Sequence, residues 1–243
     1  MSSILPTDAI VEVKINGKDI PVFSFTAEEP AIIKVITSKK FVDWTKKIDP
    51  KLDIKNIEIQ SVDMFGPNVG FIKLKVNVDF NGRPIPGIIF MRGAAVAVLV
   101  ILIFNGDKYL LLTKQPRFPI GCSGFLEIPA GMMDEDGNLL GVAAKEMEEE
   151  TGIKLKETDL ISLGAGIYPS PGGCDELIHY YSYELEVDEG RFNELRGAAT
   201  GNFDEGEQIT LEIIPYKDAV NLQDSKALNA LYRYEHRDEI SLA

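Results

Sequence analysis

Eleven consecutive residues, Ala94–Phe104 (AAVAVLVILIF), include no polar or charged side chain and show no alternation. Such a segment must be covered on both faces. It is well short of the ~20 residues a membrane helix needs, so it predicts a strand buried on both sides inside a layered domain. Asn105-Gly106-Asp107 then turns the chain, and residues 109–113 return as a partner strand. Later strands are predicted at 177–187 and 209–214. A helix is predicted at 139–150, ended by Gly152. A last helix follows Asp224 and turns Ala227, Leu228 and Leu231 inward. Strands interleaved with helices mean an α/β architecture.

The first third of the chain has a different pattern. Val11, Val13 and Ile15 alternate with Glu12 and Lys14, Asn16-Gly17 marks a tight turn, and residues 20–25 return, which is a hairpin signal. Ile72, Leu74, Val76, Val78 and Phe80 alternate with polar residues as a strand with one wet face. Phe41, Trp44 and Ile48 fall at helical spacing, which predicts a short helix near 39–48 with Trp44 in the core. Residues 81–87 (NGRPIPG) are dense in turn formers, and the charge balance shifts there. Residues 1–85 hold 12 Lys/Arg against 11 Asp/Glu; residues 86–243 hold 13 against 27. A small β-rich domain over 1–86 and a second domain over 87–243 are therefore expected.

The net charge of −13 argues against recruitment of nucleic acid or an anionic membrane by the overall field. Two cysteines, Cys122 and Cys174, are too few for a disulfide framework, so a reducing compartment is expected. The first residues show neither a secretory pattern nor an Arg-rich leader, which makes the cytoplasm the expected location.

The chemistry is concentrated in the helix at 139–150. At 100° per residue, Glu146, Glu149 and Glu150 share an arc of about 100°. Ala143, Met147 and Leu140 line the adjoining stripe, and Glu148 points elsewhere. Carboxylates this close repel one another unless a cation neutralises them, and a hard divalent ion with oxygen ligands is the economical answer. A solvated acidic face is the competing reading of such a run.

The flanking residues decide between the two. The stretch Gly131-Met-Met-Asp-Glu-Asp-Gly-Asn-Leu-Leu-Gly-Val-Ala-Ala-Lys145-Glu146-Met147-Glu148-Glu149-Glu150-Thr151-Gly152-Ile153 closely resembles the Nudix box, GX5EX7REUXEEXGU. Gly131, Glu146, Met147, Glu149, Glu150, Gly152 and Ile153 fit its spacing. The pattern's lone Glu is Gly137 here and its Arg is Lys145, so the ion pair common in the family is replaced at both ends. Asp134, Glu135 and Asp136 are alternative partners for Lys145. Lys114-Gln115-Pro116-Arg117, Leu126-Glu127-Ile128-Pro129-Ala130-Gly131 and Pro169-Ser170-Pro171-Gly172-Gly173-Cys174-Asp175-Glu176 extend the resemblance to ADP-ribose and ADP-sugar pyrophosphatases. Pro169, about sixteen residues past the box, matches the family's marker for ADP-ribose-type substrates. The combination most resembles ADP-sugar diphosphatases of plant chloroplast type.

The resemblance implies a Nudix α/β/α sandwich with a mixed sheet, preceded by a small β-rich N-terminal domain that helps form a homodimer and complete the substrate pocket. It implies Mg²⁺, with Mn²⁺ as an alternative, held by Glu146, Glu149, Glu150 and the Ala130 carbonyl. The substrate would be a nucleoside diphosphate sugar, split to AMP and a sugar phosphate. Glu207, in the loop before the 209–214 strand, matches the family's general base, with Glu205 second; Glu149 counts with them as a catalytic carboxylate. Arg117 is the first candidate for a phosphate contact and Arg92 the second. Gly131, Gly172 and Gly173 are positions where backbone can approach substrate.

Other features carry less. Gly121-Cys122-Ser123-Gly124 fails the nucleophile-elbow spacing. His179 and His236 sit in no metal-binding spacing, and Cys174 has small-residue packing as its default role. A nucleotide-sugar binding or sensing module with weak or no turnover, or a UDP- or GDP-sugar diphosphatase, is the alternative to an ADP-sugar or ADP-ribose diphosphatase.

Overall fold

A computed structural model describes residues 10–133, 138–201 and 207–240. They fall into two compact units. The first runs to Ala94 and adds Tyr168–Leu177; the second takes Ala95–Ile167 and continues from Ile178.

In the first unit, β1 (Ile10–Ile15) and β2 (Lys18–Phe23) form the expected hairpin. Asn16 and Gly17 both adopt positive φ, 51° and 80°, as a two-residue turn of this hand requires. Helices α1 (Glu29–Thr37) and α2 (Lys39–Lys47) follow, then β3 (Leu52–Phe65), β4 (Asn68–Phe80), β5 (Arg83–Ile85) and β6 (Ile88–Met91). The sheet order is β1-β2-β3-β4-β5, with β6 also paired to β4. Ile32, Val35 and Phe41 of the helices share one core with Ile57, Ile59, Ile72, Leu74 and Met91. Trp44 packs on Phe41 with ring centroids 5.7 Å apart, a core role.

Two features of this unit differ from the sequence reading. Residues 81–87 are internal to the sheet: Asn81-Gly82 closes the β4–β5 hairpin, and the Val76 amide donates to the Gly87 carbonyl at 2.8 Å. The first unit therefore continues past residue 86, because β5 and β6 both pair along β4. Turn residues serve hairpins and linkers alike, so composition alone did not separate them. The 14-residue β3 was also not expected. Register shifts after Ile54, Ile59 and Val62 break its alternation.

The second unit is built on β7 (Ala94–Phe104), the apolar run. Around it lie β8 (Asp107–Arg117), β9 (Cys122–Glu127), β10 (Ala130–Met132), helix α3 (Leu139–Thr151), β11 (Ile161–Ser162) and β12 (Leu177–Glu186). Helix α4 (Glu189–Leu195), β13 (Ala199–Thr200), β14 (Ile209–Pro215) and helix α5 (Ser225–Glu235) complete it. The sheet order is β11-β12-β7-β8-β14-β13, with β9 on β8 and β10 on β7. Val96, Val98, Val100 and Leu102 of β7 pack with Val142, Ala143 and Met147 of α3 and Phe192 of α4. Ala95, Ala97, Leu99 and Ile101 pack with Ala227, Ala230, Leu231 and Tyr234 of α5. Both faces are covered, as the unbroken apolar run demanded, and each large side chain so buried contributes about 1.5–3 kcal/mol. The result is the α/β/α sandwich. Leu228 departs from its expected inward position. It is exposed, and Ala230 and Tyr234 complete the stripe on the i, i+3, i+7 spacing from Ala227. Among the described residues no helix is long and apolar enough to cross a membrane.

Candidate functional site

Helix α3 is fixed at both ends before its acidic face is considered. The Asn138 side chain accepts from the Gly141 amide at 3.2 Å, and Gly152 closes the helix in the left-handed conformation, its amide donating to the Glu148 carbonyl at 2.9 Å. Val142, Ala143 and Met147 lock one side onto the sheet. That docking sets the glutamates. Glu150 is carried inward and is only 3% exposed; its Oε2 accepts from the Ala130 amide at 3.0 Å. Glu146 lies across Gly131, where a β-carbon would overlap its carboxylate. Glu149 stays at the edge, its carboxylate 3.6 Å from the Lys145 ammonium. Glu148 points outward and pairs with Lys154 at 2.9 Å.

The C-terminal carbonyls of α3 bring in the next segment. The Thr200 hydroxyl donates to the Glu150 carbonyl at 2.6 Å, and the Gly201 amide donates to the Glu149 carbonyl at 3.1 Å. These bonds satisfy two of the helix's last acceptors. They also hold Gly201 at the end of α3, where an added β-carbon would lie 3.2 Å from the β-carbon of Glu207. The electrostatics register the result. Burial raises the Glu150 carboxyl well above the ordinary carboxylate range; the charges of Glu146, Glu207 and Glu127 push it the same way, against the Ala130 amide.

The donor set around Glu150 is therefore all oxygen and in negative excess, which suits a hard divalent cation. Among the described residues no three His, Cys, Asp or Glu side chains converge into a complete metal-binding group. The charges of Glu146 and Glu207 act on Glu150, while Glu149 is turned toward Lys145. Glu205, Gly137 and the alternative Lys145 partners Asp134, Glu135 and Asp136 lie outside the described residues.

A second charged group lies beneath the β9–β10 connection. The Arg117 Nε donates to Glu127 Oε1 at 2.7 Å, and Lys226 Nζ donates to Glu127 Oε2 at 2.9 Å. Lys226 also donates to Asp224 Oδ1 at 2.9 Å, and Asp224 Oδ2 accepts from the Ile128 amide at 3.1 Å. The Glu127 and Asp224 side chains are each 3% exposed, Lys226 is 18% exposed and Arg117 43%. Burial opposes the charge on Glu127, yet Arg117 and Lys226 together hold its carboxyl below the usual range. Burial likewise opposes the charge of Arg117. Glu127 outweighs it, and the guanidinium also feels Glu150 and Asp224.

The remaining candidates belong to the first unit. The amides of Arg92 and Gly93 donate to Asp175, at 2.7 Å for Arg92. The Arg92 guanidinium lies 3.5 Å from Glu176 and over the Phe71 ring. Gly173 accepts from the Phe90 amide at 2.8 Å, and a β-carbon at Gly172 or Gly173 would meet only open space. Burial pushes the Cys174 thiol up, away from a reactive thiolate.

Sequence reading missed Thr200 and Lys226. Asp224 carried a visible signal as a helix N-cap, and it does cap α5. Glu127, the second partner of Lys226, is 99 residues away, beyond any local pattern.

The chain matches the NUDIX domain family over residues 93–234. It is 40% identical over 220 residues to "Nudix hydrolase 14, chloroplastic" of Arabidopsis thaliana, covering 82% of this chain and 71% of that protein. It is 33% identical over 147 residues to an ADP-ribose pyrophosphatase of Bacillus subtilis (strain 168), covering 60% of this chain and 71% of that one. Its fold is similar to the crystal structure of an ADP compounds hydrolase, with a TM-score of 0.56 and 18% identity over 80% of this chain and 97% of that chain.

Proposed function

The chain belongs to the Nudix hydrolase family, and from that premise we propose that it hydrolyses the diphosphate bond of an ADP-sugar or ADP-ribose, using Mg²⁺, to AMP and a sugar phosphate. The observation that carries this reading is the buried Glu150 carboxylate held by the Ala130 amide, with the Glu146 carboxylate laid over the adjoining Gly131. The Bacillus relative, named an ADP-ribose pyrophosphatase, supports the substrate class.

Glu146, Glu149, Glu150 and the Ala130 carbonyl would hold the cation. Once bound, it supplies charge neutralisation and electron withdrawal at phosphorus. Glu207 takes a proton from the attacking water as the new oxygen–phosphorus bond forms. The bridging oxygen leaves with its electron pair on the departing phosphate. Arg117 holds the diphosphate against the acidic helix with a planar guanidinium suited to phosphate oxygens. Catalysis of this kind rests mainly on positioning and electrostatic stabilisation.

Purified protein with Mg²⁺ is expected to release AMP from ADP-ribose or ADP-glucose, and EDTA to stop it. UDP-glucose and GDP-mannose run in parallel decide base selectivity. Lys145 favours the second reading, a nucleotide-sugar sensor, because it holds Glu149 at the edge of the cluster. Tight ADP-ribose binding with no AMP released would select the sensor.

Glu207→Gln is expected to lower kcat by about 10²–10⁴, the usual worth of a general base, while a Mg²⁺ titration of activity keeps its midpoint. A large shift of that midpoint makes Glu207 a metal ligand and removes it as the base.

A further inference from the structure

We propose that Lys226, on the C-terminal helix, is a positioning residue for substrate: it neutralises the buried Glu127 so that the charge of Arg117 remains available to the substrate diphosphate. The inference rests on the reading above for the identity of the anion that Arg117 meets.

The geometry supplies the argument. Glu127 is buried and uses both oxygens, one for Arg117 and one for Lys226. Its two cations differ in exposure. Lys226 is enclosed, whereas Arg117 is nearly half exposed and lies within the field of Glu150. Asp224 balances Lys226 and fixes it through a second contact. The same carboxylate holds the Ile128 amide, two residues before Ala130. Two cations thus face two carboxylates. With Lys226 absent, one cation faces two carboxylates. Arg117 is then spent on Glu127, and the net negative charge lies against an incoming polyanion. Removing one member of a buried charged group leaves the rest uncompensated, and coupling of this kind shows as non-additivity.

The test is a double-mutant cycle on the full chain, read as KM and kcat for ADP-ribose with Mg²⁺ and as melting temperature. Lys226→Met is expected to raise KM about tenfold with kcat within about twofold, the signature of lost ground-state binding. Lys226→Arg keeps the charge and is expected to stay within about threefold of the wild-type KM. Glu127→Gln with Lys226→Met restores one cation against one carboxylate, and its KM is expected to return toward wild type. A double variant no better than Lys226→Met makes Lys226 a purely structural residue and overturns the proposal, as does an unchanged KM in the single variant. If Lys226→Met fails to fold, the double variant is read against wild type: a KM within about threefold supports the proposal, and a KM raised about tenfold or more overturns it. Should the wild type bind α,β-methylene ADP-ribose without hydrolysing ADP-ribose, the diphosphatase reading fails, and the Kd values for the analogue decide the role of Lys226. A wild type that neither binds nor hydrolyses overturns both.

Discussion

Glu150→Gln is expected to give a folded, more heat-resistant protein that has lost nearly all turnover. The two effects have one origin. Glu150 is enclosed, and Glu146, Glu207 and Glu127 add negative charge around it. Without a cation, ionised Glu150 is a cost to the fold. An amide of the same shape keeps an acceptor for the Ala130 amide and removes the repulsion. A gain of about 1 kcal/mol corresponds to roughly 2–4 °C at this chain size. The sign follows from linkage. The folded-state carboxyl titrates well above its unfolded value, so the folded state binds the extra proton. Stability falls as pH rises from the unfolded carboxylate value, about 4.3, toward the folded one, and stays reduced above it. The advantage of the variant is therefore expected to be absent at low pH and largest at pH 8, in EDTA. Mg²⁺ should raise the wild-type melting temperature and leave the variant's nearly unchanged. Turnover should drop by about 10² or more, since even changes to groups behind a metal ligand cost 10–100-fold. Calorimetry in EDTA at pH 5 and pH 8, with AMP release beside it, checks all of this. A variant less stable than wild type at pH 8, or one that keeps its kcat, contradicts the account.

What the sequence made legible follows from the range of each interaction. The apolar run at Ala94–Phe104 could only be a strand covered twice, and the structure places α3 and α4 residues on one face and α5 residues on the other. The bounds of α3 were readable because Gly152 and the Ala143/Met147 stripe are local signals. The failures are equally physical. The bulges of β3 moved its inward residues out of phase, so no period of two was visible. Leu228 is apolar and adjoins Ala227 in sequence, but the helix phase is set by Ala227, Ala230 and Leu231 against β7 and leaves Leu228 exposed. In the site, spacing placed three carboxylates on one arc but did not distinguish among them. Docking of the helix buried Glu150, laid Glu146 over Gly131 and left Glu149 to Lys145. The Thr200–Glu150 and Lys226–Glu127 contacts join elements far apart in the chain, and no local pattern encodes such pairs.

Gly131→Ala tests the site with a single methyl group. Gly131 lies in β10, paired with Val96 of β7, so its backbone cannot retreat without breaking a ladder. A β-carbon there would overlap the carboxyl end of Glu146. The neighbour that must give way is the far end of a flexible side chain, so the fold should tolerate the change, with a melting temperature within a few degrees of wild type. The carboxylate, however, is displaced from its place over Gly131, next to the Ala130 amide that holds Glu150. A shift of about 1 Å at a positioned group costs on the order of 10²-fold in rate, and kcat/KM is expected to fall by that much. The discriminating measurement is the pair of variants together. In a Glu146→Ala background the carboxylate is already gone and the new methyl has nothing to displace. Gly131→Ala should then cost little more, a clear departure from additivity. If the two losses instead multiply, the glycine serves a purpose other than making room for Glu146, such as close approach of substrate to the β10 backbone.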